Sequence, residues 1–113
     1  MAQIGLFTRT ADGFSGRLRT LSLDAELTLV RIETPEGGNA PDYRIHLGDG
    51  SDGPEVGAGW TRTGERAGEY IVVVLDDPSL AQGVRATLFQ SGRGGRVWQL
   101  VWSRPQKRQG ARE

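Results

Sequence analysis

The feature that most constrains the fold is a series of short apolar–polar alternations separated by turn residues. Seventeen glycines are spread over the 113 residues, and turn signals such as Asp12 followed by Gly13 recur about every 8–12 residues. Alternation with a period of two is typical of a β-strand that has one buried face. No segment carries the longer period of an amphipathic helix. The sequence therefore predicts an all-β chain of about eight short strands.

Two segments refine this prediction. The run Ile71–Leu75 has apolar residues at every position, which favours a central strand buried on both sides. The alternation slips near Thr20, which indicates a bend or a bulge. Together the strands predict a small antiparallel barrel or sandwich over residues 1–105, and an OB-like barrel is one form of it. Residues 106–113 have no large apolar side chain, so we expect a disordered basic tail there.

Composition excludes several classes of site. The sequence has no cysteine, which excludes disulfides, thiolate nucleophiles and cysteine-based metal centres. It has no apolar run of the roughly 18 residues that a transmembrane helix requires. Its first residues lack the order of a secretory signal, in which a basic region precedes an apolar one. We therefore expect a cytoplasmic protein that has no membrane-bound segment.

The charges balance overall but are unevenly distributed along the chain. Fourteen basic and fourteen acidic residues cancel. Residues 35–59 carry five acids against Arg44, whereas residues 80–113 carry seven basic residues against Glu113. Such asymmetry is found in proteins with a segment that faces nucleic acid. It is equally compatible with two solvated surfaces of opposite charge.

No residue pattern predicts catalysis or a metal site. His46 is the sole histidine, and no nucleophile motif accompanies it. Asp49 and Asp52 lack the spacing of a calcium-binding loop. The adjacent Asp76 and Asp77 precede a proline, which is more typical of a helical cap than of a paired acid–base site. We expect a protein that is not an enzyme and that holds no cofactor and no metal ion.

The tryptophans near the end of the predicted domain raise the main functional question. In a strand, Trp98 and Trp102 share one face with Leu100. This apolar stripe can pack into a core, or it can stack on the bases of single-stranded nucleic acid where arginines flank it. The sequence leaves both interpretations open. The second interpretation assigns phosphate binding to Arg93, Arg96 and Arg104, and base stacking to Trp60, Phe89, Trp98 and Trp102.

Four stretches that span nearly the whole predicted domain resemble one bacterial family. They read MAQIGLFTRTADGFSGRLRTLSLDAELTLV, NAPDYRIHLGDG, EVGAGWTRTGERAGEYIVVVLDDPS, and VRATLFQSG followed by WQLVWSRP. The family they resemble is domain-of-unknown-function family 736. The resemblance implies no catalytic residue, cofactor or substrate. It implies a setting on plasmids and integrative conjugative elements, where neighbouring genes serve replication, partition, transfer or defence against restriction.

Two functions follow as hypotheses. The leading one is a non-enzymatic accessory protein of a mobile genetic element, which binds single-stranded DNA or docks onto a DNA-processing complex. The alternative is a protein-interaction module with an antirestriction or regulatory role, which uses the acidic segment 36–55. Salt dependence separates the two hypotheses, because binding through phosphates weakens steeply as the salt concentration rises.

Overall fold

A computed structural model of the chain describes residues 2–21, 23–33, 40–65, 68–78, 80, 83–91 and 95–103. The strands are β1 (Ala2–Arg9), β2 (Gly13–Arg19), β3 (Asp24–Arg31), β4 (Tyr43–Leu47), β5 (Glu55–Gly64), β6 (Gly68–Leu75), β7 (Val84–Ser91) and β8 (Val97–Trp102). Arg93, Arg104 and the expected tail lie outside the described residues.

The eight strands close into one antiparallel barrel. Each strand pairs with the next one along the chain, and β1 pairs with β8 to complete the ring. The described residues contain no helix. These observations confirm the predicted all-β fold and strand number, and they favour the barrel over the sandwich. Because a closed barrel has one interior, each strand has a single buried face.

The connections between strands define two ends of the barrel. The upper end carries the connections that follow β1, β3, β5 and β7, and the lower end carries those that follow β2, β4 and β6. This arrangement follows from the antiparallel order, since neighbouring strands run in opposite directions.

The barrel interior is filled by apolar side chains at alternate strand positions. Among the described residues, fourteen hydrophobic residues are buried and no polar or charged residue is. Aromatic rings occupy the upper part of this core. The Phe14 ring lies 5.0 Å from the Trp98 ring in an edge-on arrangement and 5.7 Å from the Tyr43 ring. Such aromatic pairs stabilise a core beyond the burial of their area.

Strands β1 and β2 approach each other closely at one point of the interior. Gly16 lies opposite Phe7 in the register. A Cβ atom added at Gly16 would stand 2.6 Å from Cγ of Phe7, so the phenyl ring occupies the space that a side chain would need. Phe7 is itself 2 % exposed, and it fills the barrel because its partner is glycine.

Of two local predictions, the one for the run Ile71–Leu75 needs correction, and the bend near Thr20 is confirmed. The run Ile71–Leu75 is not buried on both sides, because the described residues form no second layer over the outside of the barrel. Val72 and Val74 point outward and are only half-buried. The slip near Thr20 marks the turn between β2 and β3, where the Thr20 N–H donates to the Leu23 carbonyl at 2.8 Å. The strand ends there, and the alternation resumes in β3.

Candidate functional site

One of the predicted base-stacking residues lies in the core. Trp98 is 2 % exposed, and its indole Nε1–H donates to the Gly95 carbonyl at 3.0 Å. The Phe14 ring packs edge-on against it, and the Arg9 guanidinium lies 5.7 Å from its ring centroid. No face of this indole is open to a nucleobase. The prediction that Trp98 stacks on nucleic acid is therefore wrong, because its side of β8 faces the interior.

Trp102 belongs to the same stripe. The period of two correctly places it on one side of β8 with Trp98 and Leu100. It is half-buried and packs against the core at the lower end of the barrel. The stripe is thus part of the core and its lower margin, and it does not form a platform on the outside of the barrel.

Trp60 and Phe89, the other two predicted stacking residues, lie on the outside of the barrel. Each follows a buried residue on its own strand and is half-buried itself. The register places Trp60 opposite Val72 and Phe89 opposite Tyr70. Both predicted residues therefore face outward from neighbouring parts of one sheet surface.

Tyr70 is a third outward-facing ring, and the sequence reasoning missed it. Its ring centroid lies 5.7 Å from that of Phe89, with 38° between the ring planes. The alternation contains this information, since Tyr70, Val72 and Val74 are two residues apart and therefore lie on one face of β6. The sequence does not single out this ring because the apolar run that follows predicts a strand buried on both faces.

These residues belong to a continuous surface that we call the outer wall, the outward-facing positions in the middle of β5, β6 and β7. It consists of Ala58, Trp60, Arg62, Tyr70, Val72, Val74, Arg85, Thr87 and Phe89. Arg62 and Arg85 are its charged members, and both are positive. The outer wall therefore combines three aromatic rings and two guanidinium groups, while the outward-facing carboxylate of β5, Glu55, lies opposite His46 at the lower end.

A shallow groove of about 190 Å³ crosses the outer wall. It is lined by Trp60, Arg62, Val72, Val74 and Arg85. The two valines supply an apolar surface, the indole supplies a flat ring, and the arginines supply positive charge. Such a groove suits a planar ring that carries negative charge beside it.

Beside the outer wall, the outward-facing positions in the middle of β8 and β1 are uncharged. Gln99 of β8 lies opposite Phe89 on one side and opposite Leu6 on the other. Leu6 is 52 % exposed. Charge returns on β2, where Arg17 forms an ion pair with Asp24 at 2.7 Å. The outer wall is thus bordered on this side by polar and apolar residues rather than by acids.

Of the three arginines predicted to contact phosphates, the structure describes Arg96. It is exposed at the upper end, directly before β8, and its carbonyl accepts the N–H of the last residue of β1 at 2.8 Å. Arg93 and Arg104 lie outside the described residues. Arg62 and Arg85 are the cations that the fold adds, and no local sequence pattern singled them out.

The acidic segment 36–55 does not form one surface in the described part of the chain. Asp42 lies at the upper end, where its carboxylate accepts the Thr61 N–H at 2.8 Å. The three acids that follow it in the segment lie in or beside the connection between β4 and β5, at the lower end. The charge that is concentrated in sequence is therefore divided between opposite ends of the barrel.

His46 has a local structural contact. Its Nδ1–H donates to the Gly53 carbonyl at 2.9 Å, which ties β4 to the connection that follows it. The described residues contain no group of three or more histidine or acidic side chains that could hold a metal ion. The described part of the chain also contains no helix of the length and apolar character needed to cross a membrane.

A second cleft, of about 270 Å³, opens at the upper end. It is lined by Arg9, Arg31, Ile32, Glu33, Asp42, Tyr43, Thr61 and Glu69. Burial raises the pKa of the Tyr43 hydroxyl, and the nearby guanidinium groups of Arg31 and Arg9 oppose this rise in part. Because charges of both signs line this cleft, it selects neither an anion nor a cation.

The raised pKa of Tyr43 predicts a loss of stability in alkaline solution. Its contribution is fully present below the unfolded pKa of about 10 and is lost as the pH rises through the higher folded pKa. The variant Tyr43→Phe has no such group. We therefore expect its stability relative to the wild type to improve between about pH 8 and about pH 11. Urea unfolding at both pH values checks this, and an unchanged difference would contradict it.

Comparison with known proteins gives a family and no ligand. A family model described as "Protein of unknown function (DUF736)" matches residues 3–105. No match was found among curated proteins or among solved structures. The matched range contains nearly all of β1 and the whole of the other seven strands.

Proposed function

Since the chain belongs to the DUF736 family, whose function is unknown, we propose from its own surface that it is a non-enzymatic accessory protein that binds single-stranded DNA. The site is the outer wall. A role beside a DNA-processing complex of a plasmid or other mobile genetic element is part of the proposal, and the family resemblance supports that setting.

The observation that carries the proposal is the composition of the outer wall. Proteins that hold single strands combine aromatic rings, on which bases stack, with cations that contact the backbone. Trp60, Tyr70 and Phe89 supply the rings, while Arg62 and Arg85 supply the cations. The absence of a carboxylate from this set removes the repulsion that an acidic residue would impose on phosphates.

We expect the double variant Arg62→Ala, Arg85→Ala to bind oligothymidylate more weakly and with a flatter salt dependence. On a single strand, each guanidinium that no longer binds a phosphate lowers the slope of log K against log salt by about 0.7, so the pair accounts for up to about 1.4. The fluorescence anisotropy of a labelled oligothymidylate, measured over a series of salt concentrations, gives this slope. Circular dichroism of the variant checks that the barrel is intact.

A matched control removes the same charge from another part of the barrel. The variant Arg17→Ala, Arg19→Ala lies on β2, across the barrel from β6. It should keep the wild-type salt slope. The proposal fails if the wild type has no affinity for oligothymidylate at low salt, or if the control loses as much slope as the outer-wall variant.

The alternative, a protein-interaction or antirestriction module, depends on the acidic segment 36–55. Its support is weaker because the described acids of that segment lie at two ends of the barrel. A wild type that ignores DNA would make a protein partner the better hypothesis, and the acids at the lower end would then be the first residues to replace.

A further inference from the structure

We infer that the outer wall holds two adjacent unpaired bases on two separate platforms, with the phosphate between them on Arg62. This inference rests on the proposed function and specifies its ligand. One platform is Trp60, and the other is the Tyr70–Phe89 pair, whose ring centroids are 5.7 Å apart. Both platforms face outward, and both are made of described residues.

The register sets the distance between the platforms. Trp60 lies opposite Val72, and Tyr70 is two residues away from Val72 on the same strand. Trp60 and Tyr70 are therefore diagonal cross-strand neighbours, whose Cα atoms are about 7–8 Å apart. Bases stacked in a duplex are separated by about 3.4 Å along each strand. Two bases that occupy both platforms must therefore be unstacked from each other, which requires an extended single strand.

Arg62 is the cation that adjoins both platforms. It follows Trp60 by two residues on β5 and lies opposite Tyr70 on β6. Its guanidinium donates from Nη1 to the carbonyl of its neighbour Thr61 at 3.0 Å, which holds the charge close to its own strand. A phosphate that joins the two bases would lie beside this group.

Arg85 marks the other side of the Trp60 platform. It lies opposite Val74 in the register and lines the groove together with Trp60. Arg62 on β5 and Arg85 on β7 therefore lie on opposite sides of the β6 valines, which provides a cation for each of the two phosphates that flank a base on Trp60. Stacking on an aromatic ring uses the face of a base and not its hydrogen-bonding edge, so the site should tolerate any base sequence.

Short strands with bases at only two positions test this arrangement. The probes are labelled DNA strands of abasic residues that carry two thymines, either adjacent or separated by one or two abasic positions. With the wild type, adjacent thymines should bind best, and the second thymine should add about 5- to 150-fold in affinity, the range expected for one stacked base. Two abasic positions between the thymines should remove that gain.

Variants assign each base to its platform. Trp60→Ala and Phe89→Ala should each abolish the gain from the second thymine while keeping the affinity for a strand with one thymine within about twofold. A methylphosphonate between the thymines removes one backbone charge. With this probe, Arg62→Ala should no longer weaken binding, whereas Arg85→Ala should weaken it as before. Gln99→Ala, on the adjoining face of β8, is the control and should retain the gain.

The outcomes separate this inference from the proposed function. If the wild type binds oligothymidylate but gains the same affinity at every thymine spacing, the two-platform arrangement is wrong and single-strand binding by the outer wall stands. If it binds a duplex of equal length as tightly, unpaired bases are not what it recognises, and both fall. If the wild type binds no strand, both fall. An RNA series with the same spacings shows whether the site distinguishes the two sugars, and tighter binding of RNA would overturn the assignment to DNA.

Discussion

Trp98→Ala is expected to lower the free energy of unfolding by about 3–5 kcal/mol, whereas Trp60→Ala should lower it by much less. The two tryptophans differ in which face of the barrel they occupy. Trp98 is 2 % exposed, packs against Phe14 and donates a hydrogen bond to the Gly95 carbonyl. Its removal leaves a cavity in the upper core and an unpaired carbonyl beside it. Trp60 is half-buried on the outer wall, where water can replace the missing ring.

Urea unfolding of the two variants, followed by circular dichroism, measures this difference without relying on indole fluorescence. The slope of the free energy against urea should stay close to that of the wild type in both, since the surface exposed on unfolding changes little. Equal destabilisation of the two variants would contradict the assignment of Trp98 to the interior and of Trp60 to the exterior. The same pair also separates stability from binding, because Trp60→Ala is predicted to lose affinity for single strands.

Much of the fold could be predicted because strand alternation is a local property. Leu27 and Leu29 on β3, like Tyr43 and Ile45 on β4, have the spacing that burial on one face requires, and all four are buried. The glycine-containing turns separate the strands in the sequence as they do in the barrel. What the alternation does not contain is the closure of the sheet, since the pairing of β1 with β8 joins the two ends of the domain.

The site could be predicted only in part, and closure is the reason. A stripe such as Trp98 and Trp102 is apolar whichever way it faces, so parity alone does not identify the side that water reaches. The run Ile71–Leu75 shows the opposite error. The sequence predicts a buried face for its outward valines, although they form the floor of the groove beside Trp60. Arg62 and Arg85 are distant in sequence. They lie on one surface only because β6 pairs with both β5 and β7.

The interior is complete without the rings of the outer wall. In the described part of the chain, fourteen buried hydrophobic residues fill the barrel, and Trp60, Tyr70 and Phe89 are not among them. Apolar residues that face outward weaken solubility and favour association. Three rings gathered on neighbouring strands beside two arginines are therefore better explained by a ligand than by the needs of the core.

Gly16→Val is expected to destabilise the barrel by about 3 kcal/mol or more, because it overpacks a site that is already closed. A Cβ at this position would overlap the Leu6 carbonyl oxygen and would stand 2.6 Å from Cγ and 2.7 Å from Cα of Phe7. Two of these three neighbours are backbone atoms, which cannot move aside as the end of a flexible side chain can. To admit the valine, β1 would have to separate from β2 or the Phe7 ring would have to leave the core.

Gly50→Val is the matched control, since nothing lies within 4 Å of a Cβ built there. Its stability should stay within about 0.5 kcal/mol of the wild type. Thermal and urea unfolding measure both variants, and hydrogen exchange of the β1 and β2 amides shows where the damage lies. Because Phe7 packs beneath the β1–β8 and β1–β2 pairings that close the ring, the loss of protection should concentrate there, while β5, β6 and their outer-wall residues keep theirs. A Gly16→Val variant as stable as Gly50→Val would mean that β1 and β2 do not meet in the register described, and the closure of the barrel would have to be revised.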